Sequence, residues 1–258
     1  MTPIATERPN LLHAGSRAVR IPAGRSVFRG ELRWPCHPSG FAILAPIGKG
    51  DPLAALQDSV AARLRDVGVG TLLLHLPLHP RPSGAARQAA LSAARLRTVF
   101  GWLARQPEAA GLRLGCFGAG ADAATVLEAT ECDSPLMSAV VVTTSRPELL
   151  EEAMVRVRTP TLLIMERRDP EALRRIRGVL HHLDEVGAMA CVSGADHRPP
   201  AHETIEEMAG TAAQWFIHHL VMVPVWHGSR SGACALESPA APSSWAPQHL
   251  DESLASRR

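Results

Sequence analysis

Leu112-Arg113-Leu114-Gly115-Cys116-Phe117-Gly118-Ala119-Gly120-Ala121-Asp122 is a short apolar run that breaks into a glycine-rich turn, and its reading decides the fold. Successive apolar residues over so short a span suit a strand buried on both faces of a sheet. Residues 112–117 read as that strand, residues 118–122 as the turn, and the Ala-rich stretch 121–131 as a helix. Glycines in such a turn allow backbone angles that other residues avoid and let a strand and a helix pass closely. A buried strand turning directly into a helix is the building unit of a parallel sheet.

The same unit recurs on both sides. Strands are expected at 41–45, 71–74, 138–143, 161–165 and 188–192, and helices at 53–67, 85–106, 147–155, 170–184 and 202–220. The helix at 53–67 shows its period in apolar residues at 53, 56, 60, 64 and 67, with Gly68 placed to end it. Ahead of these units, residues 17–22 and Ser26–Trp34 flank the turn Ala23-Gly24-Arg25, which is hairpin chemistry. The fold class is therefore α/β: a mostly parallel sheet with antiparallel N-terminal strands and helices on both faces. One domain is expected over residues 16–222, after a loose arm at 1–15. From 223 to 258 Ser, Pro, Ala and Gly dominate without a period, which reads as a disordered tail. Trp226 and Trp245 in that tail read as solvent-exposed, a docking segment being the alternative.

Composition narrows the function classes. The chain has 258 residues, 46% hydrophobic and 20% charged, with a net charge of +2. That balance suits a globular protein with a large core and provides no field for nucleic acid. Five cysteines, an odd number with no C-x-x-C pair, argue against a zinc site or a disulfide framework. No apolar run approaches the roughly 20 residues of a membrane helix, and the N-terminus lacks the apolar stretch of a secretory signal. A cytoplasmic protein with no cofactor, no metal, no nucleic acid and no membrane partner is expected. The pairs His181-His182 and His218-His219 fall on expected helices, where adjacent residues point apart and chelate poorly. Arg167, Arg168, Arg174, Arg175 and Arg177 read as a solvated surface, with an acidic partner or a nucleic acid as the alternative.

In an open parallel sheet, ligands sit at the carboxyl ends of the strands. The turn after the 112–117 strand lies where a nucleophile elbow, G-x-S-x-G, would hold its serine. Gly118 matches the first glycine, Gly120 stands at the nucleophile position and Asp122 at the closing glycine. The acid and base of a triad follow in chain order Ser, Asp or Glu, His. Asp169 follows the strand at 161–165, and His197 follows the strand at 188–192. Cys116, inside the strand, reads as a small buried hydrophobe rather than a nucleophile. Asp122 reads either as a first-turn acid favoured by the helix dipole or as a carboxylate working with His197 on water. Lys49, the only lysine, lies in Pro46-Ile47-Gly48-Lys49-Gly50. It is either a solvated loop residue or part of a pocket for a carboxylate or phosphate.

Together Leu112–Ala119, Thr159-Pro160-Thr161-Leu162-Leu163-Ile164, Gly194-Ala195-Asp196-His197 and Trp215-Phe216 carry a family resemblance. The chain, from about Gly30 to Leu220, resembles the dienelactone-hydrolase-like bacterial α/β hydrolases, in some of which the domain is linked to phosphoribosyltransferases. The resemblance implies an α/β-hydrolase fold and small esters or lactones as substrates. It also exposes three departures. The family's elbow is G-A-S-T-G-like, and here Gly120 stands in the serine's place. The loop after the first long strand is usually H-G-S-G-like, and here it begins at Pro46. The strand ending at Leu74 often leads into an aspartate, and here His75 follows.

These departures imply a protein with a degenerate catalytic triad, Asp169 and His197 being its remnants and Asp122 the candidate substitute. A glycine has no group to attack a carbonyl, so no acyl-enzyme forms. The expected function is a non-catalytic ligand-binding or interaction module, with Gly48, Lys49 and Ala121 near a small anionic or ester-like ligand. A protein partner or a homo-oligomer fits the same reading. The alternative is a hydrolase of small esters or lactones with an altered mechanism using His197 and Asp169.

Overall fold

Strands that are apolar on successive residues need cover above and below, and two separate apolar clusters provide it. The structure, a computed structural model, describes residues 13–24, 26–45, 53–75, 93–130, 137–144, 150–166, 174, 187–192 and 202–222. Its strands are β1 (Gly15–Ala23), β2 (Ser26–Trp34), β3 (Gly40–Leu44), β4 (Val69–His75), β5 (Arg113–Ala119), β6 (Met137–Thr143), β7 (Thr161–Glu166) and β8 (Gly187–Val192). Its helices are α1 (Leu53–Asp66), α2 (Ala93–Ala104), α3 (Ala123–Thr130), α4 (Glu151–Arg156) and α5 (His202–Phe216). The strands form one eight-stranded sheet in the order β1-β2-β4-β3-β5-β6-β7-β8. β1 and β2 pair antiparallel, as do β2 and β4, and every later pair is parallel.

The strand residues alternate between the clusters, as a pleated backbone requires. Ala42, Leu44, Phe117, Val141 and Ile164 face one side, where α1 and α5 contribute Leu56, Val60, Leu64, Met208, Ala212 and Phe216. Ile43, Cys116, Val140, Val142 and Leu163 face the other, beneath Leu96, Phe100 and Leu103 of α2, Val126 and Leu127 of α3, and Met154 of α4. Helices therefore cover both faces. Between α1 and α5 the surface carries Arg63–Glu206 at 2.6 Å and a Ser59 hydroxyl that donates to Glu206 at 2.8 Å. Exposed contacts of this kind contribute little. Burying a leucine or phenylalanine contributes about 1.5–3 kcal/mol, so the apolar faces hold the two helices in place.

Several boundaries differ from the sequence expectation by a few residues, and two of these differences shape the region around the turn. β5 continues through Gly118 and Ala119, because these residues keep the parallel register with Val142 and Thr143 of β6. The turn is thus confined to a 3₁₀ segment, Gly120–Asp122, and α3 starts at Ala123. The last helix is α-helical only to Phe216 and continues as a π-helical segment, Ile217–Met222. Phe216 lies over Gly115 and Leu220 over Gly40, so this end of the helix closes on the glycines of β5 and β3. The expected ends at Gly24 and Gly68 stand, with φ of 64° and 83°. The arm at 1–12, most of the helix at 170–184 and the tail from 223 lie outside the described residues.

The glycine under Phe216 provides one test. A Cβ on Gly115 would lie 2.6 Å from Phe216 Cε1 and 2.8 Å from Cδ1, and Phe216 is fully buried. Gly115→Ala is expected to cost about 1–3 kcal/mol through overpacking, read as a lower urea midpoint with an unchanged slope. A wild-type midpoint would contradict this packing.

A second test concerns pH. His219 sits on the π-helical segment with its ring 4.3 Å from that of Trp215, and its Nε2 is buried without a hydrogen-bond partner. Burial first, then the charges of His218 and Arg113, push its pKa down from 6.5 to about 4. The folded state thus binds a proton less readily than the unfolded chain. This residue's contribution to stability is complete above pH 6.5, falls as pH drops towards about 4, and changes no further below that. His219→Leu is expected to flatten the stability profile across that window. A profile as steep as the wild type's would remove His219 as the cause.

Candidate functional site

β5 is paired along both edges and buried on both faces, so the chain leaving it must turn sharply to reach its own helix. Ala119 is still extended, with φ −133° and ψ 146°. Gly120 then takes φ +64°, a value that costs an ordinary L-residue roughly 1–2 kcal/mol. By Ala123 the backbone is helical, with φ −57° and ψ −45°. Gly118 is needed for a different reason. A Cβ there would meet Val126 Cγ2 at 2.6 Å and Val126 Cβ at 3.0 Å, so only a glycine lets α3 settle on β5. The result is a strand, a one-residue kink and a helix whose first turn points its N–H groups towards the sheet's carboxyl edge.

The neighbouring strand β3 ends beside this kink. The Ala45 N–H donates to Phe117 O at 2.8 Å, and the Gln57 side-chain amide donates to Ala45 O at 2.6 Å. Gln57 is itself buried. It anchors the first turns of α1 to the end of β3, and through Ala45 to β5. Leu53, four residues earlier on the same face of α1, reaches the kink. Its Cδ1 lies 3.1 Å from where a Cβ on Gly120 would stand. Sequence reasoning counted Leu53 as one more apolar position and passed over Gln57. The available signal was a polar residue inside the apolar stripe 53, 56, 60 and 64.

Of the residues singled out from sequence, Gly120, Ala121 and Asp122 form the turn itself. Asp122 is buried, with 5% of its surface exposed, which is more enclosed than a solvated first-turn acid. Asp169 and His197 lie outside the described residues, as do Gly48 and Lys49. The strands that precede them are described. β7 and β8 run parallel to β5, so the chain leaves Glu166 and Val192 at the same edge of the sheet as Gly120. Cys116 is fully buried in the core, and that burial pushes its thiol well above the ordinary range, so it stays protonated. His75 ends β4 and is exposed. Among the described residues, no group of three His, Cys, Asp or Glu side chains is arranged to hold a metal ion. Among them also, no helix is long and apolar enough to cross a membrane.

No family model matches the chain. A Mycobacterium tuberculosis protein, named in two strains as a putative phosphoribosyl transferase, is 34% identical over 205 residues. That match covers 78% of this chain and 46% of the relative, so the chain spans about half the length of the curated relatives it matches. Among solved structures, a dienelactone hydrolase from Anabaena variabilis superposes with a TM-score of 0.67 at 24% identity, over 81% of this chain and 99% of its own. A dienelactone hydrolase-like promiscuous phosphotriesterase from metagenomic libraries gives 0.62 at 19% identity, over 81% and 99%. An esterase from Pyrococcus furiosus gives 0.63 at 13% identity, over 80% and 92%. The chain has a dienelactone-hydrolase-like α/β-hydrolase fold.

Proposed function

We propose that this chain is a relative of serine hydrolases that no longer performs acyl transfer and serves as a ligand-binding or interaction module. The observation that carries the reading is Gly120. It occupies the one-residue kink between strand and helix, at positive φ, where such hydrolases present a serine. Acyl transfer needs a lone pair at that point to attack the carbonyl carbon. It also needs an imidazole to accept the proton and a carboxylate to orient the imidazole. In this reading His197 and Asp169 are the remaining partners of a nucleophile that is gone. The N–H groups at the start of the helix still favour negative charge. With Gly48, Lys49 and Ala121 they would receive a small carboxylate- or ester-like ligand. The names of the structural neighbours point to esters and lactones, and that of the mycobacterial relative keeps phosphorylated compounds among the anions to test.

The burial of Asp122 favours a second reading. A carboxylate enclosed at the elbow could take a proton from water, with His197 and Asp169 assisting, and hydrolyse small esters or lactones directly. Such general-base chemistry would show a bell-shaped pH profile.

Turnover of p-nitrophenyl acetate and a simple lactone separates the two. The module reading expects the wild-type chain to match buffer and His197→Ala to change nothing. Robust turnover abolished by His197→Ala would overturn it. In that event the second reading expects Asp122→Asn to lose most of the rate while keeping its circular-dichroism spectrum, and an unchanged rate would remove Asp122 from the chemistry.

A further inference from the structure

The room above the kink is bounded in a way the turn sequence alone does not show. Among the described residues, setting aside its chain neighbours and the backbone of its own helical turn, the heavy atom within 4 Å of a Cβ built on Gly120 is Leu53 Cδ1, at 3.1 Å. That separation is tighter than ordinary van der Waals contact, and the oxygen of a serine would extend further still from the backbone. Leu53 is not loosely placed. It is the first residue of α1 and packs half-buried on the cluster of Leu44, Leu56, Phe117 and Ala119. The Gln57 hydrogen bond to Ala45 O, and the Ala45 N–H bond to Phe117 O, tie that end of α1 to the strand that leads into residue 120.

We propose that Leu53 is the specificity-determining side chain of this site: its isobutyl group caps residue 120 and reserves the space above the elbow for an apolar group rather than a polar acyl acceptor. The contact stands on geometry, and its link to catalysis rests on the reading of residue 120 as the nucleophile position. A methyl 3.1 Å from the Cβ position offers no hydrogen bond to a hydroxyl and crowds any side chain placed there. Glycine at 120 and leucine at 53 are therefore matched to each other. Restoring a serine without trimming the leucine places a polar group against an apolar one.

A double-mutant cycle on the full chain tests the pairing without depending on activity. Gly120→Ser, Leu53→Ala and the double variant are compared by urea unfolding, with Gly120→Ala as a smaller second probe. The folding constant is expected to fall at least threefold less on Gly120→Ser in the Leu53→Ala background than in the wild type. Gly120→Ala is expected to show the same sign. Additive effects for both probes would overturn the cap. A second readout follows covalent labelling by a fluorophosphonate, which reports an activated serine. Gly120→Ser with Leu53→Ala is expected to label at least fivefold faster than Gly120→Ser alone, and equal measurable rates would overturn Leu53 as the limiting group. Coupling in the cycle with no labelling of either variant would uphold the cap and refute the reading of residue 120 as a nucleophile position served by His197. Labelling with an additive cycle would do the reverse.

Discussion

β5 has no free edge and no free face, and the rest of the site follows from that constraint. A strand hydrogen-bonded to β3 and β6 and covered by helices on both sides can pass into its own helix only through an abrupt bend. The bend falls on one residue, which takes φ +64°. The approach of α3 then forbids a side chain at Gly118, because Val126 already fills that volume. Close packing, rather than chemistry, sets the shape of the turn.

Such a bend is a place where strain and function usually meet. A side chain at positive φ costs energy that the surrounding structure must offset. Glycine removes the cost, since it adopts that conformation without a clash. In the proposed reading, loss of the nucleophile therefore makes the framework easier to hold, and a chain released from selection for turnover would have no reason to keep the strain. The neighbouring contacts fit a turn that is maintained rather than decaying. The Gln57–Ala45–Phe117 bonds are intact, and Leu53 Cδ1 stands 3.1 Å from where a side chain on residue 120 would begin.

Much of this was legible in the sequence, for reasons that differ from element to element. The parallel strands announced themselves as unbroken apolar runs such as 41–45 and 139–142, because burial on both faces leaves little place for polar residues. The hairpin ends and the stop of α1 were marked by Gly24 and Gly68, whose backbone angles few other residues tolerate. The exact length of β5 was not legible. Gly118 and Ala119 look like turn residues, yet pairing with Val142 and Thr143 holds them in the sheet. The π-helical end of the last helix was equally hidden, since the sequence reads as an ordinary helix through residue 220. Its widened turn goes with the seating of Phe216 and Leu220 over two glycines distant in sequence.

The sequence by itself determined the succession of strands and helices along the chain, the apolar stripe of the 53–67 helix and the identity of the residue at the bend. Each depends on local composition or period. Only the tertiary structure decided what that residue faces. Leu53 lies more than 60 residues before Gly120 and carries no motif, yet its Cδ1 stands beside that position; Gln57, on the same helix, bonds to Ala45 at the end of β3, the neighbour of β5 in the sheet. The covering of a glycine's empty side is a property of packing between distant segments, so no reading of the turn alone could supply it.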